Sequence, residues 1–211
     1  MQKNNLFIFY FFFVFIFIIS TNSHFSYEES LRFGGADGFS YMSISKDFPS
    51  ITSEKIMSIH AERFFFPYVI GFISKLLNME LYFTYKVTVL IVLVIINFFT
   101  IKILRFLNIN TITILTLLTL INFNPYITRF YIAVPTILND LIFVLGTLII
   151  LHKIITNKNN DFLISTGYIF AFASRQTSLG LVLGYLVSMF VKGKTLLSKK
   201  NEIFGLVIFL I

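Results

Sequence analysis

Long apolar runs with few charges recur along this chain. Leu6 to Ile19, Tyr85 to Leu107 and Ile127 to Leu151 are the clearest of them. A backbone in lipid must close its hydrogen bonds within helices or a closed barrel, and barrel strands alternate apolar and polar residues over about ten positions. These runs are continuous and do not alternate. The sequence therefore predicts an all-α, polytopic α-helical membrane protein with about six to eight membrane helices.

The composition favours the same class. Of 211 residues, 56% are hydrophobic and 13% are charged, whereas soluble domains are about a quarter charged. The net charge of +7 comes from Lys and Arg residues scattered among short loops and helix ends. Such residues are typical of loops that stay on the cytoplasmic side of a membrane and contact anionic lipid headgroups. We therefore expect membrane lipids as partners and no nucleic acid. Cysteine is absent, which excludes disulfides and thiolate metal sites.

The chain is interpreted as a single integral membrane module, with a first helix over 1–20, an extracytoplasmic loop over 21–63 and a helical bundle over 64–211. The first helix is expected to be retained, because Ser20 to Ser23 lacks a clear small-x-small cleavage site. The loop is the longest polar stretch and is net acidic, which places it outside, and a short surface helix is predicted over about 53–63. We expect a bacterial inner (plasma) membrane location.

Two arrangements of the rest stay open. If Phe64 to Met79 only dips into the membrane, Lys102 and Arg105 lie in the cytoplasm, which positive-inside counting prefers; if it crosses, they lie outside. Residues 162–191 are too long for one upright helix and are predicted to form two helices that meet at Arg175. The last run, 203–211, is too short to cross a bilayer, so we expect the chain to be the N-terminal part of a longer protein.

The first candidate site residue is Asp37, in the short polar loop Gly34-Gly35-Ala36-Asp37-Gly38. Asp and Gly are common in turns, so one interpretation is that Asp37 is only a turn residue. The alternative is a general base, since a carboxylate close to an alcohol can take its proton as the oxygen attacks. The neighbouring glycines would permit a substrate to approach closely.

Two arginines are the next candidates. Arg63 either anchors a helix at the interface or holds a lipid phosphate in a bidentate contact. Arg175 lies within an apolar region, where an arginine is costly unless something satisfies it. A structural ion pair with Asp140 and an anionic ligand in a water-filled cavity are both open. His24, His60 and His152 share no metal-ligand spacing, and we expect no cofactor, since nothing in the sequence requires a metal.

The layout resembles the N-terminal region of the GT-C glycosyltransferases. It has a hydrophobic helix, then Asp37-Gly38-Phe39-Ser40-Tyr41 in an external loop, then Arg63-Phe64-Phe65-Phe66-Pro67-Tyr68 opening the next helix. Phe172-Ala173-Ser174-Arg175-Gln176-Thr177 is similar to an Arg-Gln-Thr element found in some members. Members of this family move a sugar from a polyprenyl-phosphate carrier onto an acceptor outside the cytoplasm.

The resemblance implies roles for particular residues. Asp37 would be the general base, Arg63 and Arg175 would hold the carrier phosphate, and Tyr41 and Gln176 would contact sugar hydroxyls. The expected partners are then a polyprenyl-phosphate sugar and a glycan or lipid acceptor. Two other classes remain open: a transporter or flippase-like protein in which Arg175 and Asp140 form a gate or substrate site, and a non-enzymatic membrane subunit.

Overall fold

The computed structural model describes residues 2–21, 25–50, 63–156, 161–175 and Gly180. All regular structure in these ranges is helical, which confirms the all-α class. In chain order the elements are α1 (Gln2–Thr21), α2 (Tyr27–Asp47), α3 (Phe65–Leu76), α4 (Leu81–Phe106), α5 (Thr111–Phe123), α6 (Thr128–Ala133), a 3-10 turn (Pro135–Ile137), α7 (Leu138–Thr156) and α8 (Asp161–Ser174).

Two of the described helices are long and apolar enough to cross a membrane. One is α4 and the other is the continuous segment Pro135–Thr156, made of the 3-10 turn and α7. Helices α3 and α5 are only 12 and 13 residues long. At about 1.5 Å per residue they are shorter than a bilayer core of roughly 30 Å. The described residues therefore support two spanning helices and not the six to eight expected.

The polar stretch around Asp37 lies within α2, so the expectation of a short loop over Gly34 to Gly38 is wrong. Ser26 caps the N-terminus of α2, and its hydroxyl accepts a hydrogen bond from the Glu29 N–H (3.3 Å). The Ser26 backbone N–H donates to Glu29 Oε2 (2.9 Å), which closes a capping box. These contacts hold the pKa of the Glu29 carboxyl below its usual value. The predicted surface helix over 53–63 lies almost entirely outside the described residues.

Helix α2 is broken at Gly35, which has a positive φ of 59° and a non-helical ψ of −151°. Such a backbone favours glycine, because a Cβ would be strained there. The two halves fold back on each other, since the ammonium of Lys46 lies 4.9 Å from the centre of the Tyr27 ring. The turn indicated by Gly34 to Gly38 is thus real, but it is the tip of a helical hairpin.

Buried hydroxyl groups connect the hairpin to α3 and α4. The hydroxyl of Ser45 lies 2.7 Å from the Tyr85 hydroxyl and 2.6 Å from the Pro67 carbonyl oxygen. The Tyr85 hydroxyl also donates to the carbonyl of Tyr41 (3.2 Å). Tyr85 is 1% exposed, so these bonds form away from solvent. They fix the C-terminal half of the hairpin against both helices.

A second polar contact joins α4, α5 and α6. The side-chain amides of Asn97 and Asn122 donate to each other's oxygen at 3.2 and 2.9 Å. The hydroxyl of Thr128 donates to the same Asn122 oxygen (3.2 Å). Both asparagines are about 2% exposed or less. Polar side chains paired across helices in this way stabilise packing where lipid gives no hydrophobic drive.

Helices α7 and α8 pack closely through small residues. A Cβ placed on Gly146 would lie 2.6 Å from both the Ala171 nitrogen and the Gly167 carbonyl oxygen. The apolar run Ile127 to Leu151 does not form one continuous helix: α6 ends at Ala133, and the 3-10 turn precedes α7. Helix α8 ends at Ser174, as predicted for the first of two helices meeting at Arg175. Apart from Gly180, the second lies outside the described residues.

We expect Gly146→Ala to destabilise the protein by about 1–3 kcal/mol, because the added methyl group meets rigid backbone of α8. The measurement is thermal unfolding of the purified protein in detergent. Val144→Ala is the matched control, since Val144 lies on the same helix and is 41% exposed. Equal melting temperatures for the two variants would contradict the close packing.

Candidate functional site

The best defined charged contact in the described residues joins α7 to the end of α8. Arg175 donates from Nε (2.8 Å) and Nη2 (2.6 Å) to the same oxygen, Oδ1, of Asp140. The two side chains are 36% and 27% exposed. The structural ion pair, one of two alternatives for Arg175, is therefore formed. The pair leaves donors for a second anion, because a guanidinium has five N–H groups.

The preceding residue, Asn139, brings Arg63 to the same place. Its side-chain amide donates to the backbone carbonyl of Arg63 (3.1 Å), just before α3. Asn139 is 2% exposed. The Arg63 Nε is buried and has no hydrogen-bond partner among the described residues. Two consecutive residues of α7 thus hold the two arginines that the sequence nominates.

The tip of the α2 hairpin rests on the 3-10 turn before α7. Cβ atoms placed on Gly34 and Gly38 would lie 3.1 and 3.0 Å from the Thr136 hydroxyl oxygen. Thr136 is fully buried and comes one turn before Asn139 and Asp140. Asp37 sits at this tip and is half-buried. The candidate base therefore lies at the same end of the bundle as the two arginines.

Tyr41 follows Asp37 by one turn of α2 and is 1% exposed. It lies within electrostatic range of the Arg175 guanidinium. A side chain buried this deeply is not open to a sugar from the solvent side. The predicted contact of Tyr41 with a sugar hydroxyl stays a prediction. Gln176 lies outside the described residues.

The charge of Arg175 is secured by its partner. Burial disfavours the guanidinium charge, and the hydrogen bonds and negative charge of Asp140 offset that cost. Arg175 therefore stays cationic at any physiological pH. It is a fixed positive charge at the end of α8, suited to a phosphate.

The part of the chain that the structure describes holds no cluster of side chains suited to bind a metal ion. No group of three or more His, Cys, Asp or Glu side chains lies together there. The arrangement is instead a carboxylate, two arginines and buried hydroxyl groups at one end of a helical bundle. Such a set suits binding of a phosphate beside a proton acceptor.

Of two contacts that position the site, one has a signal in the sequence and the other has none. Gly167 and Ala171 are separated by three residues, the small-xxx-small pattern of close helix packing in membranes. Asn139 directly precedes Asp140 in the sequence, and no motif marks it. Its tie to the Arg63 carbonyl has no signal in the sequence, because the two are 76 positions apart.

No family model, curated protein or solved structure matches the chain. The resemblance to the GT-C glycosyltransferases thus rests on the residues named above.

We expect the Asp140–Arg175 pair to show a coupling energy of about 1 kcal/mol, modest because both groups are partly solvated. Asp140→Asn and Arg175→Gln should each lower stability, and the double variant should lose less than the sum. Thermal or denaturant unfolding of the four proteins measures this.

The control is a second double-mutant cycle, which combines Asp140→Asn with Arg129→Gln. Arg129 donates to the Thr21 carbonyl (2.6 Å), on α1. The losses in this second cycle should add. Additive losses in the first cycle would show that the ion pair contributes nothing to folding.

Proposed function

We propose that this chain is, or is part of, an integral membrane glycosyltransferase of the GT-C kind. It transfers a sugar from a polyprenyl-phosphate carrier to an extracytoplasmic acceptor. The proposal rests on two consecutive residues of α7: Asn139 donates to the backbone carbonyl of Arg63, and Asp140 pairs with the Arg175 guanidinium. The hairpin tip that bears Asp37 packs on the 3-10 turn just before these two residues. Further membrane helices beyond the two candidate spans belong to this proposal, as does a bacterial plasma membrane with the 21–63 region outside.

The surface of α4 supports a membrane location. Its candidate spanning window has a mean hydropathy of 2.6, yet only 39% of it is buried within the protein. Phe83, Ile91, Val94 and Phe98 are each about half exposed. A continuous apolar face of this kind is unusual on a monomeric soluble protein, whereas lipid chains cover it at no cost.

In the proposed reaction, the Asp37 carboxylate takes the proton of the acceptor hydroxyl. The acceptor oxygen attacks the anomeric carbon, and the bond from that carbon to the carrier phosphate oxygen breaks. The electron pair leaves with the phosphate, whose added charge Arg63 and Arg175 stabilise. Such stabilisation is stronger in a site of low dielectric. Asp140 positions Arg175, and Asn139 positions the backbone of Arg63.

The deciding variant for this proposal is Asp37→Asn, which we expect to lower sugar transfer by about 10²- to 10⁴-fold, because an amide cannot accept the proton. The assay follows release of carrier phosphate from a polyprenyl-phosphate sugar in membranes that contain the full-length protein. Glu28→Gln is the control, an exposed acid on the same helix. Undiminished transfer by a folded Asp37→Asn protein would refute the catalytic role.

Arg63→Gln should raise the KM for the lipid-linked donor by about 10- to 100-fold, since a charge-assisted contact to phosphate is lost. The kcat should change less than for Asp37→Asn. Arg32→Gln, at an exposed position on the hairpin, should leave KM unchanged. An unaltered KM for Arg63→Gln would remove this residue from the carrier site.

One observation favours a second candidate function. An ion pair between two helices that is about a third exposed is a contact that can open and close, as the gate of a transporter or flippase-like protein requires. In that case Asp140→Asn would alter movement of a labelled polyprenyl phosphate across proteoliposomes, and Asp37→Asn would not. A transferase instead loses sugar transfer in Asp37→Asn, and neither variant changes movement of the carrier across the membrane.

A further inference from the structure

We propose that the groove between α1 and α4 binds one anionic phospholipid, with an acyl chain along the groove and the phosphate on Lys102 and Arg105. The groove has a volume of about 400 Å³ and is lined by Phe7, Phe11, Val94, Phe98, Ile101, Lys102 and Arg105. Five of these seven side chains are apolar. The inference rests on the membrane location proposed above and on no step of sugar transfer.

The shape of the groove fits a chain. It follows α4 from Val94 to Arg105, a separation of eleven positions, which at about 1.5 Å per residue is roughly 16 Å. Phe7 and Ile101 form its floor at 6% and 7% exposure, whereas Val94 and Phe98 are about half exposed along its sides. An apolar trough open along its length admits a hydrocarbon chain from the side.

Both cations lie at one end of the groove and are held there by aromatic rings. The Lys102 ammonium is 4.3 Å from the centre of the Phe98 ring, and the Arg105 guanidinium carbon is 4.5 Å from that of Phe7. Such contacts orient the charged end of each side chain. Two positive charges at one end of an apolar trough match a ligand with one anionic head and a hydrocarbon tail.

This groove is separate from the site around Asp140. Helices α4 and α7 run in the same direction, because Lys86 shares a cavity with Ala133 near their N-terminal ends and the rings of Phe99 and His152 meet near their C-terminal ends, 5.6 Å apart. Lys102 and Arg105 are at the C-terminal end of this pair. Asp140 is at the N-terminal end, so the two cations and the proposed transfer site lie at opposite ends of these helices.

The test is a titration of the purified full-length protein, in neutral detergent, followed by native mass spectrometry. We expect phosphatidylglycerol to bind more tightly than phosphatidylcholine. Glycerol phosphate, which has the head without the chains, should not bind at the same concentrations. Equal affinity for the two phospholipids would overturn the charge assignment, and binding of glycerol phosphate as tight as the lipid would show a free-phosphate site instead.

Variants separate the two halves of the site. The double variant Lys102→Gln and Arg105→Gln should weaken phosphatidylglycerol binding by about 25-fold, about fivefold for each cation. Lys86→Gln is the matched control, since Lys86 is also on α4 and lies 4.4 Å from the centre of the Tyr82 ring, in the other cavity. An unchanged affinity in the double variant, or an equal loss in the control, would overturn the proposal.

Val94→Trp tests the trough itself, because the larger side chain fills it without entering the core. Ile91→Trp is its control, at a position 54% exposed and outside the groove. Only Val94→Trp should weaken phosphatidylglycerol binding. Equal effects of the two would place the lipid elsewhere. These experiments measure lipid affinity and not sugar transfer. A failed lipid-binding prediction therefore leaves the proposed transferase untouched, and an active Asp37→Asn variant leaves the lipid site untouched.

Discussion

The close approach of α7 and α8 at Gly146 is the contact on which the candidate site depends. Backbone meets backbone there, because neither Gly146 nor Gly167 carries a side chain. Asp140 lies six residues before Gly146, and Arg175 lies four residues after Ala171, on an antiparallel helix. With the axes this close, the carboxylate and guanidinium meet directly. A wider crossing would leave both charges without their partner.

Beside a buried apolar cluster that joins α2, α3, α4 and α7, polar contacts connect further pairs of helices. The Asn97–Asn122 pair holds α4 to α5, and Ser45 with Tyr85 holds the hairpin to α4. In lipid, apolar side chains gain little by meeting one another, so directional hydrogen bonds and close packing of small residues determine which helices are neighbours. The same bonds fix the orientation of the hairpin, which sets where Asp37 stands.

Sequence patterns anticipated the class, the first helix, α4 and the turn near Asp37. The secondary structure of α2 was missed because three glycines in five positions, Gly34, Gly35 and Gly38, disfavour a helix locally. The capping box at Ser26 and Glu29 was a usable signal for its start. The break before α7 at Val134 interrupts a run that remains apolar, so hydropathy alone does not show it. Within the described ranges, the apolar runs of α3 and α5 form helices of only 12 and 13 residues, which are too short for a full span.

By itself, the sequence determined that this chain is helical, since long apolar runs without alternation leave few other ways to pair the backbone. It also nominated Asp37, Arg63, Asp140 and Arg175, because charges in apolar surroundings are few. Only the tertiary structure decided that Arg175 pairs with Asp140 and that Asn139 holds the backbone of Arg63. Partners 35 and 76 positions apart are set by helix packing, and no local pattern specifies how helices pack.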